Sequence, residues 1–230
     1  MTDGLAFRGF SPDGLRFLDE LAAHNERAWF GPRKERYERE VLTPMRAFVA
    51  DATRALARAR IPIGGDAKRS IFRVYRDVRF SPDKRPYRTN AACYLSYDGG
   101  RATQGGLYVH IEPARSYLSV PFYLLPAPML RRWRQSMRED PRRFARVLRA
   151  MARKQLTIQP PEAWDDSLRR MPRGFADLEG SELAPYFLLR SFCADRELTR
   201  AEVTSPRLIE AAVRLVRDAR PLLDYGWSLD

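Results

Sequence analysis

The pattern of apolar residues predicts a helix at the start of the chain. Ser11 and Pro12 are typical of a helix start, with serine as the N-cap and proline at the first helical position. Leu15, Leu18 and Leu21 follow at helical spacing, which gives this helix one apolar face.

A second, longer helix is predicted after a turn at residues 29–32. Its apolar stripe consists of Tyr37, Val41, Met45, Phe48, Ala52 and Leu56. Pro44 lies inside this stretch, so the helix should kink or split there, because proline lacks the N–H that an interior helical position donates. The face opposite the stripe mixes basic and acidic residues, which is typical of a solvated helix.

The middle of the chain changes from helical to period-two spacing. Residues 87–97 and 107–112 alternate in this way, and glycine pairs at 99–100 and 105–106 bracket the loop between them. Residues 115–120 suit a further short strand. This pattern predicts an antiparallel meander of three to five strands.

Helical spacing returns after the strands. Residues 129–138 and 141–153 form two predicted helices, and a last helix begins at Ser205 and stops before Pro221. Helices, then strands, then helices describe an α+β fold. We therefore predict a single domain over residues 1–230, with a central antiparallel sheet flanked by N-terminal and C-terminal helices.

One apolar stretch, residues 183–193, fits two different elements. It suits a late strand, or a short helix that is broken at Pro185. Both assignments stay open.

Residues 71–88 carry more charge than folding requires, with six Arg or Lys and two Asp among apolar residues. Read as a strand, the segment places Arg76 on the same face as Phe72. A buried guanidinium needs a hydrogen-bonding partner, and Asp77 would point to the opposite face, so the partner must come from elsewhere. A turn at residues 81–83 then brings the chain back, and we call residues 71–88 the basic hairpin.

The basic hairpin also carries the residues of a known signature. The pattern R-x-x-R-D-x-R-F-x-x-D-K-x-x-Y is matched by Arg73, Arg76, Asp77, Arg79, Phe80, Asp83, Lys84 and Tyr87. With further similar segments at residues 29–30, 106–111 and 168–175, the chain resembles a bacterial family of conserved hypothetical proteins, the domain of unknown function numbered 2461. The resemblance covers nearly the whole chain and implies no established activity.

The overall charge of the chain has two explanations. A net charge of +12 points to nucleic acid as a partner. However, the 41 basic residues include four lysines, which leaves 37 arginines, and a genome biased toward arginine codons would give the same skew. We therefore expect most of this charge to be spread over solvated helix faces.

The cysteines and histidines indicate no metal centre. Cys93 and Cys193 lie in apolar contexts, so we expect buried, reduced thiols and a cytoplasmic location. They and the two histidines lack the spacing of a zinc site, and no dinucleotide or phosphate-loop motif calls for a cofactor. The N-terminus lacks a signal-peptide pattern, and no apolar run is long enough to cross a bilayer, so we expect no membrane partner.

The basic hairpin is a candidate anion site, because arginine grips phosphate or carboxylate by its fork and lysine by its point charge. In the alternative interpretation, Arg73 to Asp77 and Lys84 to Asp83 are ion pairs that only fix the hairpin. Exposed pairs of that kind contribute roughly 0 to 1 kcal/mol, a weak reason for so many charges. Two local acids cannot neutralise six cations, which favours the anion site.

Two residues outside the hairpin complete the candidate site. His110 shares a strand face with Tyr108 and Glu112, where it is either a general base or a hydrogen-bonded sheet histidine. Arg173 precedes Gly174 in a second basic turn, which is alternatively a surface loop. The predicted ligand-binding set is Arg73, Arg76, Asp77, Arg79, Asp83, Lys84, Tyr87, His110 and Arg173.

Three functions are compatible with these residues. The first is binding of an anionic small molecule at the basic hairpin, with or without a reaction. The second is nucleic-acid binding through the net charge, with stacking on the interleaved aromatics Tyr75, Phe80, Tyr87 and Tyr94. The third is an interaction domain in which the Arg and Asp cluster is purely structural. The sequence assigns no reaction and no oligomeric state.

Overall fold

A computed structural model describes residues 6–100, 103–161 and 165–229 of the chain. Four strands form an antiparallel sheet in the order β1-β2-β3-β4, with β1 at Ala91–Ser96, β2 at Gly106–Ile111, β3 at Tyr117–Phe122 and β4 at Phe192–Glu197. N-terminal and C-terminal helices flank this sheet. The predicted α+β class and the predicted number of strands are confirmed.

The helices lie before the sheet and around its last strand. They are α1 Pro12–Ala23, α2 Arg27–Phe30, α3 Lys34–Tyr37, α4 Thr43–Arg58, α5 Ala127–Glu139, α6 Pro141–Ala152, α7 Ala184–Leu188, α8 Arg200–Val203, α9 Arg207–Asp218 and α10 Arg220–Trp227. Within the described residues, no helix is both long and apolar enough to cross a membrane.

The first helix begins where the sequence predicts it. Ser11 Oγ accepts a hydrogen bond of 2.9 Å from the Gly14 N–H, and Pro12 is the first helical residue. Leu15, Leu18 and Leu21 are all buried, as the spacing indicates.

The second helical region, residues 27–58, is interrupted rather than continuous. A 3₁₀ turn at Gly31–Arg33 and a π-helical turn at Glu38–Leu42 separate α2, α3 and α4. The π-helical turn ends two residues before Pro44, which has no N–H to donate to the Glu40 carbonyl four residues earlier. The predicted split at Pro44 therefore takes the form of a widened turn.

The basic hairpin is extended but is not a regular strand, which differs from the prediction. It pairs only at isolated bridges, Ile71 with Cys93 and Tyr75 with Tyr87. Pro82 in its turn and Pro86 in its returning half lack the N–H that a ladder requires. The two-face pattern also fails at Phe80, which is 94% exposed.

The two interpretations of residues 183–193 both hold, one after the other. α7 occupies Ala184–Leu188 with Pro185 in its first turn, and β4 begins at Phe192. Near the C-terminus, Pro221 stands in the first turn of α10, so a helix begins there beyond the predicted stop. The short α8 was not predicted, although Thr199 and Glu202 form a capping box at its start.

The chain groups into two compact units. The first consists of Met1–Thr103, Leu107–Leu118 and Glu197–Arg214, and the second of Gln104–Gly106, Ser119–Arg196 and Leu215–Asp230. In the first unit, Phe17, Phe48 and Leu56 are among the fully buried side chains. In the second, Trp133 packs against Phe192 with ring centroids 4.2 Å apart. That the whole chain is a single domain stays a prediction, and the basic hairpin lies entirely in the first unit.

Candidate functional site

The returning half of the basic hairpin is fixed to the N-terminal helical region at Tyr87. The buried side-chain amide of Asn25 donates to the Tyr87 carbonyl at 3.0 Å and accepts from the Tyr87 N–H at 2.9 Å. The Tyr87 ring stacks on Phe30 with centroids 4.3 Å apart, and it also contacts Tyr75 at 5.5 Å. These contacts hold the hairpin against the end of α2.

Asp83 is the acceptor for two arginines. Arg76 Nη1 donates to Asp83 Oδ2 at 2.7 Å and to the Arg85 carbonyl at 3.1 Å, while the Arg85 guanidinium donates to the same carboxylate at 2.9 Å. The neighbouring Arg85 and then Arg76 hold the pKa of the Asp83 carboxyl well below its usual range. The expectation that Arg76 finds a partner other than Asp77 is correct.

Asp77 instead binds Arg79, with Nη2 and Oδ2 2.7 Å apart. Its hydrogen bonds to Arg79 lower the pKa of Asp77 to about 2. Lys84 Nζ donates to the Val78 carbonyl at 3.0 Å. The pairs foreseen from sequence, Arg73 with Asp77 and Lys84 with Asp83, are therefore not the pairs that form.

Three cations of the hairpin form no ion pair with a carboxylate among the residues that the structure describes. They are Arg73, Lys84 and Arg88. Arg88 lies over the Phe72 ring at 5.8 Å, and Arg73 is exposed. The two local acids thus pair with Arg76, Arg79 and Arg85, and the hairpin keeps a surplus of positive charge.

Arg73 lines a cavity of about 230 Å³ that lies entirely in the first unit, and we call it the hairpin cavity. Its walls come from the helical region, from the loop before the hairpin and from the outgoing half of the hairpin. The lining residues are Phe30, Lys34, Tyr37, Glu38, Leu42, Arg46, Ala67, Lys68, Ile71, Phe72, Arg73, Val74 and Tyr75.

Positive charge dominates the hairpin cavity. Four cations line it, namely Lys34, Arg46, Lys68 and Arg73, against one carboxylate, Glu38. Glu38 Oε2 lies 3.4 Å from Arg46 Nη1, so the only acid in the lining already has a cationic partner. In the described ranges, no carboxylate forms an ion pair with Lys34, Lys68 or Arg73.

The remaining lining of the cavity is aromatic and aliphatic. Phe30, Ile71 and Val74 are buried, whereas Tyr75 is 55% exposed. Burial, together with the charge of Glu38, raises the pKa of Tyr37 to about 12. Tyr37 therefore keeps its proton at neutral pH, and its hydroxyl remains a hydrogen-bond donor.

His110 lies on β2, in a polar cluster that includes two residues directly after the basic hairpin, Thr89 and Asn90. Its Nε2 is 3.2 Å from Glu112 Oε2, and its Nδ1 is 3.2 Å from the Tyr108 hydroxyl and 3.3 Å from Asn90 Nδ2. The ring also stacks on Tyr117, with centroids 4.8 Å apart. Both ring nitrogens thus have partners, which is the arrangement of a hydrogen-bonded sheet histidine.

The same cluster connects His110 to the end of the hairpin. Thr89 donates to Glu112 at 2.7 Å, and Asn90 supplies the contact to His110. The hydrogen bond to His110, followed by that to Thr89, keeps the pKa of Glu112 below its usual value despite partial burial. The cluster therefore orders the segment that leads from the hairpin into β1.

Arg173 belongs to the second unit, where its side chain is exposed. It precedes Gly174, whose φ of 89° is accessible to glycine at little cost. Arg138 donates to the Gly174 carbonyl at 2.5 Å and pairs with Asp177 at 2.8 Å. Contacts from Arg138 on α5 therefore hold this turn in place.

Sequence reasoning missed several of the residues that line the cavity with Arg73. Lys34 and Arg46 were assigned to a solvated helix face, Tyr37 to an apolar stripe, and Lys68 to no element. One signal was present in the composition: lysine occurs only four times, and two of those lysines line this cavity.

Within the described ranges, no group of three or more His, Cys, Asp and Glu side chains is placed to hold a metal ion.

The comparisons with known proteins agree with the resemblance carried by the hairpin. A family model described as a conserved hypothetical protein (DUF2461) matches residues 13–225 of the 230-residue chain. Comparison with curated proteins and with solved structures gave no match. Because the family model covers nearly the whole chain, including the hairpin and the cavity, the protein belongs to the DUF2461 family of conserved hypothetical proteins.

Proposed function

We propose that the protein binds an anionic small molecule, bearing phosphate or carboxylate, in the hairpin cavity. The observation that carries this proposal is the charge balance of the lining: four cations, one carboxylate and an aromatic wall. Lys34, Lys68 and Arg73 provide donors for the anion, because no carboxylate among the described residues occupies them. The aromatic and aliphatic lining accommodates the less polar part of the ligand.

The identity of the cations supports a selected site rather than codon bias. A bias toward arginine codons explains 37 arginines among 41 basic residues, but it does not explain two of only four lysines in the same cavity. A volume of about 230 Å³ is below the usual range for drug-sized ligands, which is roughly 300 to 1,000 Å³. We therefore propose a small anion, or the anionic group of a larger molecule.

The ion pairs of the hairpin indicate different roles for two of the predicted ligand residues, Arg76 and Arg73. Arg76 is already bound by Asp83 at 2.7 Å and does not line the cavity, whereas Arg73 lines it and has no carboxylate among the described residues. Arg73 is therefore the residue that we assign to direct contact with the anion. Arg76, together with Asp83 and Arg85, holds the hairpin that carries Arg73.

A thermal-shift panel of nucleotides, sugar phosphates and acidic metabolites tests this proposal. A ligand at a hundred times its dissociation constant adds about 2.7 kcal/mol of stability, or roughly 5 to 10 °C in Tm for a chain of this size. Arg73→Met should remove the shift, and Arg76→Met should weaken it less. The control Arg58→Met, an exposed arginine at the end of α4, should leave it unchanged. An equal shift in Arg73→Met and wild type would contradict the proposal.

Nucleic-acid binding at the hairpin is the second candidate, favoured by the exposed rings of Tyr75 and Phe80. The other two aromatics proposed for stacking, Tyr87 and Tyr94, are buried and not available to bases. Oligonucleotides in the same panel distinguish the two candidates. Binding that depends on Phe80 but not on Lys68 would favour nucleic acid over the small anion.

The purely structural interpretation accounts for the three arginines that pair with Asp77 and Asp83. It does not account for Arg73, Lys34 and Lys68, which form no such pairs among the described residues.

The free, buried thiols of Cys93 and Cys193 support a further proposal, that the protein works in a reducing compartment such as the cytoplasm.

A further inference from the structure

A second basic surface lies in the second unit, far along the chain from the hairpin. An open groove of about 600 Å³ is formed by α6 and α10, and we call it the α6 groove. Its cations are Arg143, Arg146, Arg149 and Arg153, and its one carboxylate is Asp224.

The segment that supplies these arginines contains no acid. Residues 141–154 carry six basic residues, Arg142, Arg143, Arg146, Arg149, Arg153 and Lys154, and neither Asp nor Glu. Over the whole chain there are 29 acids for 41 bases, so a segment of this kind stands out from the general excess of arginine. The mixed-sign pattern of a solvated helix face is absent here.

The carboxylates near the groove either contact its arginines only weakly or already form an ion pair with an arginine outside it. Asp224 binds Arg220 with Oδ1 and Nε 2.5 Å apart. Asp140 lies 4.0 Å from Arg146, and both side chains are more than half exposed, so this contact contributes little. Arg149 and Arg153 form no ion pair with any described carboxylate.

One guanidinium of the groove is held in place before any ligand arrives. Arg143 donates to Ser228 Oγ at 2.5 Å and lies over the Tyr225 ring at 5.1 Å. The arginines of the groove, from position 143 in α6 to the C-cap at position 153, extend over about 15 Å at a rise of about 1.5 Å per residue. A single phosphate cannot reach across that length, so the groove suits an anion that repeats along its own axis.

We propose that the α6 groove binds the phosphate backbone of a nucleic acid without reading its sequence. One strand carries a charge every 3.4 Å or so along the helix axis, so a length of about 15 Å spans roughly four phosphates. An anionic membrane is disfavoured because the exposed large apolar side chains of the described residues, Tyr75, Phe80, Tyr97 and Leu124, are not on α6. An acidic peptide is disfavoured because Val147 and Tyr225, the large apolar residues of the lining, are buried and offer it little to anchor on, whereas phosphate contacts alone suffice for nucleic acid.

Fluorescence anisotropy with a labelled, mixed-sequence DNA duplex at 50 to 200 mM salt tests this proposal. Four phosphate contacts predict a slope of about −3.6 in log affinity against log salt, and a loss of roughly 150-fold across this range. The triple variant Arg146→Gln, Arg149→Gln, Arg153→Gln should reduce the slope to about −1 and weaken binding at 50 mM salt by more than tenfold.

A matched control removes the same charge elsewhere. Arg58→Gln, Arg207→Gln and Arg214→Gln replace three exposed arginines on α4 and α9. We expect less than a threefold change and an unchanged slope in this variant. Equal losses in both triple variants, or no binding by the wild type at 50 mM salt, would overturn the proposal. Circular dichroism verifies that each variant is folded. If the α6 triple variant unfolds, the single variant Arg149→Gln replaces it, and this substitution should reduce the magnitude of the slope by about 0.9.

This proposal does not depend on ligand binding in the hairpin cavity. The α6 triple variant should keep the thermal shift given by a small anion, and Arg73→Met should keep its affinity for the duplex. Failure of one proposal is therefore distinguishable from failure of the other.

Discussion

The side-chain amide of Asn25 forms hydrogen bonds with both main-chain groups of Tyr87, donating to its carbonyl at 3.0 Å and accepting from its N–H at 2.9 Å. The two residues are 62 positions apart, and both are buried. The Asn25 side chain thus makes the two main-chain hydrogen bonds that a neighbouring strand would otherwise make with Tyr87. The hairpin has few regular ladder bonds, so this contact fixes its position against α1 and α2.

Asn25→Ala should destabilise the protein by roughly 2 to 6 kcal/mol, because it leaves a buried N–H and a buried C=O unpaired at about 1 to 3 kcal/mol each. Urea denaturation measures the free energy of unfolding. The control Gln135→Ala removes an exposed side-chain amide on α5 and should change stability by less than about 0.5 kcal/mol. Similar values for the two variants would show that the Tyr87 groups find other partners.

Local signals in the sequence predicted the elements whose cause is local. Ser11 and Pro12 begin α1 as expected, because capping depends on residues within one turn. Pro44 predicted a break in the long helix, but whether this would be a kink or a π-helical turn depends on how the flanking turns pack.

The candidate site was predicted only in part, because it depends on contacts between distant segments. The charge surplus of the hairpin was visible in the sequence, whereas the cavity needs Lys34 and Arg46 from the helical region and Lys68 from a loop. The ion pairs also differed from expectation. Asp83 reaches back to Arg76 across the turn, and a sequence pattern does not give that register.

Gly14 is the position at which α1 approaches the π-helical turn. A Cβ on Gly14 would lie 2.4 Å from the carbonyl oxygen of Glu40, which belongs to the main chain and cannot rotate away. We therefore expect Gly14→Ala to cost about 1 to 3 kcal/mol, as overpacked sites do.

The matched control for that substitution is Gly31→Ala. A Cβ on Gly31 would meet nothing within 4 Å, and the φ of Gly31 is −48°, which alanine adopts easily. This variant should be neutral or more stable by about 0.4 to 1 kcal/mol. The urea midpoint should fall in Gly14→Ala and should stay the same or rise in Gly31→Ala. A midpoint of Gly14→Ala at or above that of wild type would refute the close approach.

The two thiols should be inert in the folded protein. Burial raises the pKa of both Cys93 and Cys193, and the thiolate is the reactive form. We expect no reaction with an aromatic disulfide reagent under native conditions and two equivalents after denaturation in guanidinium. Rapid labelling of one thiol in the native protein would mean that its surroundings open. Cys93→Ala and Cys193→Ala identify which thiol has reacted.

Glu112 should make part of the stability of the protein sensitive to acid. Its hydrogen bonds, first to His110 and then to Thr89, lower the pKa of this carboxyl in the folded state below the unfolded value of about 4.3. A group with a lowered folded pKa stabilises fully above its unfolded pKa, and this contribution is lost as the pH falls through the folded pKa. Glu112→Gln removes the titration but keeps an oxygen that can accept from Thr89.

Wild type should therefore lose its advantage over Glu112→Gln as the pH falls from about 5 to 3, measured as free energy of unfolding in urea at each pH. His110 Nε2 lies 3.2 Å from Glu112 Oε2, so the same comparison in a His110→Asn background serves as the control. Without His110, the largest cause of the lowered pKa is gone, and the effect of burial, which raises the pKa, is larger than that of the remaining hydrogen bond from Thr89. The pH dependence should then vanish or reverse in sign. Parallel acid profiles for wild type and Glu112→Gln would show that the His110 contact does not lower the carboxyl pKa.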